Sequence, residues 1–385
     1  LVRTSRSIIS AGTERSKVEL GQSSMLGKAR KRPDDLAKVL AKVKRDGLLN
    51  TYKMVRERLA EASPLGYSAA GTVEAFGELA SGLGPGDRVA CAGAGYANHA
   101  EYLYVPANLC ACIPDGVSFE DAAYATIGAI ALQGFRQSSA VLGDRVAVIG
   151  LGLLGLLTVQ IARAAGCQVI GFDLDQSRVD LAEACGAEAA GVLGQDDPET
   201  MTAAFSTGLG ADAVIITAST PSNEPLELAG RLARDRAVVV VVGDVGLSFS
   251  RGPYYEKELN LRMSRSYGPG RYDPSFEEFG QDYPEGYVHW TERRNMEEFL
   301  RLVGTKQVDL SKITTHRYSI DRAPEAYELV TGKTGERFIG VVLEYPEGPA
   351  EPVSAAAKPA LAAAGRDGVG IGLIGAGNFV TATLL

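Results

Sequence analysis

The stretch Arg145-Val146-Ala147-Val148-Ile149-Gly150-Leu151-Gly152-Leu153-Leu154-Gly155 decides the reading of this chain. An apolar run of strand character leads directly into G-x-G-x-x-G, and a helical pattern, Leu154–Ala165, follows it. In that context each glycine has a mechanical task. Gly150 permits the tight turn, Gly152 lets the backbone approach a pyrophosphate, and Gly155 allows close packing of helix on strand. The helix N-terminus at Leu153 and Leu154 attracts phosphate charge. Asp173 closes the next strand, 21 residues after Gly152, where a carboxylate accepts hydrogen bonds from ribose hydroxyls. Asp175 follows it, and Arg178 joins the candidate cofactor residues. No arginine stands immediately beside the two acids. A 2′-phosphate would meet negative charge there, so NAD is favoured over NADP.

Around this unit the texture alternates. Strand candidates are Gln168–Phe172, Ala213–Thr217, Ala237–Val242 and Leu259–Met263, with helices such as Gln176–Cys185 between them. Val/Ile-rich strands alternating with helices predict a parallel sheet covered on both faces. Residues 1–10 predict a strand. Residues 64–117 hold short apolar runs broken by glycine and by the turns Pro85-Gly86-Asp87 and Pro114-Asp115-Gly116, which is β-barrel texture. Residues 34–62 carry apolar side chains at helical spacing.

The 385 residues include 45 glycines, about 12% against roughly 7% in average usage, while the 17 prolines are ordinary. Lys+Arg is 39 and Asp+Glu is 47, a net charge of −8, which argues against general nucleic-acid binding. Residues 28–58 depart from this balance with eleven basic and four acidic side chains. Two solvated amphipathic helices explain them, and a patch for phosphate or nucleic acid is the alternative. Five cysteines without a C-x-x-C pair fit neither a disulfide framework nor a four-cysteine zinc lobe. A reduced, cytoplasmic setting is expected. No apolar run is long enough to span a bilayer.

Residues 346–368 hold four prolines and eight alanines and read as a linker. Beyond them Val369–Ile374 reads as a strand, followed by Gly375-Ala376-Gly377. Residues 369–385 then read as the truncated start of a second Rossmann unit, and the chain as a window on a longer one.

Over residues 1–345 the chain resembles the medium-chain dehydrogenase/reductase superfamily. The residues that carry the resemblance are Gly86-Asp87-Arg88-Val89, Gly143-Asp144-Arg145-Val146, Lys257-Glu258-Leu259, and the closing pair Ile320–Val330 and Phe338–Leu343. It implies a GroES-like β-barrel catalytic domain over 1–137 with a helical insertion at 34–62. A doubly wound Rossmann domain would cover 138–290, and the chain would return to the catalytic domain over 291–345. It also implies a homodimer. Where zinc-dependent members place ligands, Ala11 stands for cysteine, Tyr67 for histidine and Thr126 for the third donor. Alanine cannot ligate, and tyrosine and threonine are poor zinc ligands. A zinc-free member is therefore expected. A narrower resemblance rests on Leu65–Gly71, Ser264–Asp273 and Asn378-Phe379. It points to a two-module bacterial protein whose second module is of the Gfo/Idh/MocA type, and it implies a carbohydrate-like small-molecule substrate.

Without zinc, hydrogen-bond donors must move the proton and stabilise the oxyanion of hydride transfer. Thr13 resembles the hydroxyl that relays the proton in zinc relatives. Tyr67 reads as an acid or oxyanion donor, or as a plug in the vacated site. His99, in a glycine-rich loop, reads as a general base or as a surface histidine. Arg265, Tyr267 and Arg271 read as holding a substrate phosphate or carboxylate, or as an ordinary surface turn. His289 and His316 are given no catalytic role. The expected activity is NAD(H)-dependent oxidoreduction of an alcohol or ketone on a sugar- or polyol-like substrate. The competing expectation is a non-catalytic dinucleotide-binding module.

Overall fold

The computed structural model describes residues 1–22, 64–77, 82–346 and 348. Residues 1–345 form one compact unit. Residues 346–385 form a second, of which only Pro346 and Gly348 are described. The basic stretch 28–58, the insertion 34–62, most of the linker and the second fingerprint lie outside the described residues.

The compact unit is built on two sheets. Strands β1 (Val2–Ile9), β2 (Ser68–Val73), β3 (Arg88–Ala92), β4 (Tyr102–Leu103) and β5 (Cys110–Cys112) form the first sheet with β12 (Thr314–Ser319) and β13 (Gly340–Glu344). Its order is β12-β13-β1-β2-β3-β5, with β4 also pairing β1. All these pairs are antiparallel except β12–β13. The end of the chain thus closes on its beginning, with Ile8 opposite Val342 and Ile9 opposite Val341.

The second sheet takes β6 (Arg145–Ile149), β7 (Gln168–Asp173), β8 (Ala189–Val192), β9 (Ala211–Ile216), β10 (Ala233–Val241) and β11 (Asn260–Met263). All pairs are parallel, in the order β11-β10-β9-β6-β7-β8. This is the doubly wound Rossmann order, and its direction reverses between β6 and β9. Four of the five residues of β6 are buried, as expected for a strand covered on both faces. Architecture and sheet order give an α/β fold with a GroES-like part and a Rossmann part.

Six helices position the site: α1 (Ala11–Gln22), α2 (Ala125–Ser138), α3 (Leu153–Ala164), α4 (Gln176–Ala184), α5 (Glu292–Gly304) and α6 (Ala323–Val330). Helix α2 packs against both α3 and α5. Gln160 of α3 bonds both backbone groups of Asp309, at 3.3 and 2.7 Å, tying this helix to the returning chain. Helix α1 follows β1 after a single residue and is not anticipated by the sequence, because Ala11–Gln22 has no continuous apolar stripe. The final helix begins at Ala323, after a tight turn at Ile320–Arg322, rather than at Ile320.

Candidate active site

The fingerprint lies at the carboxyl end of β6, at the switch point of the sheet. Gly150 has φ +96°, and a side chain there would strike Ala218. A Cβ on Gly155 would lie 1.9 Å from the carbonyl oxygen of Gly150, so helix and turn touch through backbone alone. A Cβ on Gly152 would meet nothing within 4 Å. That open space is what an approaching pyrophosphate requires. Gly152 caps α3 without a side-chain hydrogen bond, which leaves the first amides of the helix, at Leu153 and Leu154, for an external acceptor. The residues present fit a dinucleotide.

Asp173 is nearly buried and accepts from the amide of Leu151 at 2.7 Å and that of Asp175 at 3.0 Å. Its carboxylate is thereby fixed beside the glycine turn. The expectation that no arginine stands by these acids is corrected. Arg178 Nη1 lies 3.6 Å from Asp173, and Arg337 Nε lies 3.5 Å from Asp175. Arg178 lies in the first turn of α4. Arg337 arrives from the loop before β13, a distance in sequence that no local pattern reveals. The hydrogen bonds of Ser177 with Asp175, helped by both arginines, hold that carboxyl below its ordinary range.

The three positions that the resemblance aligns with zinc ligands have definite contents. Ala11 opens α1 with a methyl group. Tyr67 is half-buried, and its hydroxyl donates to Ser10 Oγ at 2.6 Å, with the Thr13 side chain as a second hydrogen-bond partner. Burial pushes its phenol above the usual range, the charge of Glu14 adds to this, and the bonds to Ser10 and Thr13 offset part of it. The phenol is therefore protonated at neutral pH. Thr126 is fully buried and donates to the carbonyl of Cys91 at 3.4 Å. These three residues offer none of the imidazole, thiolate or carboxylate donors of zinc sites. Among the described residues no group of three or more His, Cys, Asp or Glu side chains is arranged to hold a metal.

His99 is not the solvent-facing loop residue that one of the two readings expected. The ring is almost fully buried, with Nδ1 2.8 Å from Ser7 Oγ and Nε2 3.1 Å from Glu14 Oε2. Gly66, at φ +90°, makes room for it: a Cβ there would lie 2.8 Å from the His99 amide nitrogen. Glu14 also accepts from the Ser10 amide at 2.8 Å and from the hydroxyl of Tyr327. Burial opposes ionisation of Glu14, but the bonds from His99, Tyr327 and Ser10 outweigh it and hold its pKa below the ordinary value. Ser7 continues the network to the hydroxyl of Tyr345 at 2.9 Å. Sequence reasoning missed Ser7, Ser10, Glu14, Tyr327 and Tyr345. The one local signal was Glu14, an acid directly beside Thr13.

The segment Arg265–Asp273 is only partly a surface turn. Arg271 Nη1 bonds Glu277 at 2.6 Å, and its guanidinium lies 4.1 Å from the Tyr272 ring centroid, so it is engaged within the protein rather than poised for an anion. Tyr267 is buried, with no hydrogen-bond partner for its hydroxyl. Arg265 is exposed and lies over the Tyr272 ring at 5.7 Å. His316 and His289 pair with Glu336 and Glu285, away from this network.

Comparison with known proteins agrees with the fold. Residues 154–281 match the family model for zinc-binding dehydrogenases. An alcohol dehydrogenase from Thermus sp. ATN1 superposes with a TM-score of 0.66 at 21% identity, covering 90% of this chain and 92% of that one. Galactitol-1-phosphate dehydrogenase from Escherichia coli gives 0.61 at 20% identity, over 73% and 84%. The chain is thus similar to zinc-binding dehydrogenases over part of its length and shares the fold of alcohol dehydrogenase structures. Among curated proteins the chain is similar to sorbitol dehydrogenase of Mus musculus, 26% identical over 302 residues, 70% of this chain and 77% of that protein.

Proposed function

We propose that this chain is a zinc-independent oxidoreductase that passes hydride between NAD(H) and an alcohol or ketone of a polyhydroxy substrate. The observation that carries it is Tyr67: a protonated phenol, bonded to Ser10 and close to Thr13, where zinc relatives keep a ligand histidine. A bound dinucleotide would supply the hydride acceptor or donor. The amides opening α3 would hold its pyrophosphate and Asp173 its ribose. In carbonyl reduction Tyr67 donates its proton to the substrate oxygen. Ser10 and Thr13 relay a proton from solvent back to Tyr67, and the reverse path serves alcohol oxidation. With zinc absent, this hydroxyl cluster stabilises the developing oxyanion. The preference for NAD rests on Asp173 and Asp175, which already occupy Arg178 and Arg337. A polyol or sugar derivative as substrate is supported by the similarity to sorbitol dehydrogenase.

The wider proposal assigns residues 1–137 and 291–345 to the substrate part and 138–290 to the cofactor part. It sets the protein in the cytoplasm, where the free thiols it carries would persist. Among the described residues no helix is long and apolar enough to cross a membrane.

Fluorescence titration with NADH and NADPH, a polyol and sugar turnover screen, and metal analysis test the proposal together. NADH is expected to bind more tightly than NADPH, and Tyr67→Phe to lower turnover about 100-fold while leaving NADH affinity intact. NADH binding without turnover on any polyol, unchanged by Tyr67→Phe, would establish the non-catalytic module instead. One tightly held zinc per chain would overturn zinc independence.

A further inference from the structure

The five cysteines are free, but two of them are not independent. Cys91 of β3 stands directly opposite Cys110 of β5 in an antiparallel pair. Opposed residues in such a pair have Cα atoms about 4.5–5.5 Å apart, inside the disulfide range of about 4.4–6.8 Å. Their side chains leave the same face of the sheet, and both are buried in one small apolar cluster with Val89, Ala97 and Leu103. Interaction with the Cys91 thiol draws Cys110 below the ordinary thiol range, against the effect of burial, and the charge of Arg293 helps. The same interaction, with burial, pushes Cys91 up. The strand that holds Cys110 is three residues long and ends the order of its sheet, the kind of position where local opening costs least.

We propose that Cys91 and Cys110 are a latent disulfide site, closed by a small peroxide that enters when β5 loosens from the sheet edge. The Cys110 thiolate attacks one peroxide oxygen. The O–O bond breaks, leaving a sulfenic acid on Cys110 and releasing hydroxide, which takes up a proton to become water. The sulfur of Cys91 then attacks the Cys110 sulfur. An S–S bond forms, the sulfenic hydroxyl leaves, and it departs as water with the Cys91 proton. Two thiols are oxidised and one peroxide is reduced to two waters. The bond fastens β5 to the strand that runs on into the loop seating His99. The carbonyl of Cys91 is also the acceptor for Thr126.

Peptide mass mapping under non-reducing conditions, after graded hydrogen peroxide treatment of the folded protein, tests the site. The expected product is a Cys91–Cys110 cross-linked peptide pair, two hydrogens lighter than its free parts and restored by a thiol reductant. Cys112→Ser should still form it. Cys91→Ser and Cys91→Ala should not, and should leave Cys110 as a sulfenic acid that dimedone traps. The cross-linked protein should melt about 5 °C higher, since an 18-residue loop is closed. Cys91 and Cys110 remaining thiols at peroxide levels that fully oxidise exposed Cys112 would overturn the proposal. So would a cross-link that appears only in denaturant.

Discussion

A methyl group at position 155 has nowhere to go, because it would lie 1.9 Å from a backbone oxygen that Thr217 also holds, at 2.5 Å. Gly155→Ala must therefore push α3 off the turn. It is expected to abolish measurable NADH binding by fluorescence titration and to lower Tm. Glu14 poses the opposite case, a charge kept inside by its partners. Its folded pKa is below the unfolded value, near 4.3, so its contribution to stability is full above that value. That contribution is lost as pH falls through the folded pKa. Glu14→Gln should lower Tm at pH 7 by roughly 5–10 °C, the effect of weakening several charge-assisted hydrogen bonds in a buried site. Thermal melts should show the gap from wild type closing as pH drops below about 4. A gap independent of pH would mean that packing, not charge, sets the effect.

Helices and strands differ in how openly they announce themselves. The central Rossmann strands are legible because each is a nearly continuous apolar run, and β6 occupies the predicted Arg145–Ile149, whereas the short edge strand β8 is not anticipated. Helix α1 is not legible, because it is held by polar contacts of Glu14 rather than by an apolar face. Helix α5 opens on an anomaly of its own. Glu292 is fully buried, neither of its carboxyl oxygens has a partner, and burial, reinforced by Glu277, raises it to about 9. Arg271 and Arg265 offset only part of this. A carboxyl raised on folding favours the fold while the unfolded chain is also protonated. It costs stability as pH climbs from about 4.3 toward 9. Glu292→Gln mimics the protonated acid. It should match wild type near pH 4.5 and melt about 5 °C higher at pH 8.5, as followed by circular dichroism. Equal Tm values at both pH values would show that the carboxyl is not neutral in the fold.

At the scale of the whole molecule, β11 ends the Rossmann sheet with no second neighbour among the described residues. Leu261 and Met263 on it are exposed. An unpaired, partly apolar edge invites another strand, and a twofold pairing of identical edges satisfies both copies at once. We propose a homodimer joined through β11. Light scattering should give twice the chain mass, and Leu261→Lys with Met263→Lys should give monomer that still binds NADH. Dimers that survive both charges would place the interface elsewhere.

The sequence by itself determined the dinucleotide turn, because its function depends on which side chains are absent at three nearby positions. It also determined the parallel sheet, because burial on both faces leaves a continuous apolar record. Only the tertiary structure decided the surroundings of Tyr67. Glu14 meets Tyr327 across 313 residues, and His99 across 85. Tyr345 closes onto Ser7 because the last strand of the first sheet pairs with the first. Such contacts depend on strand order and register. A polar side chain buried by a partner hundreds of residues away looks, in sequence, like any solvated one.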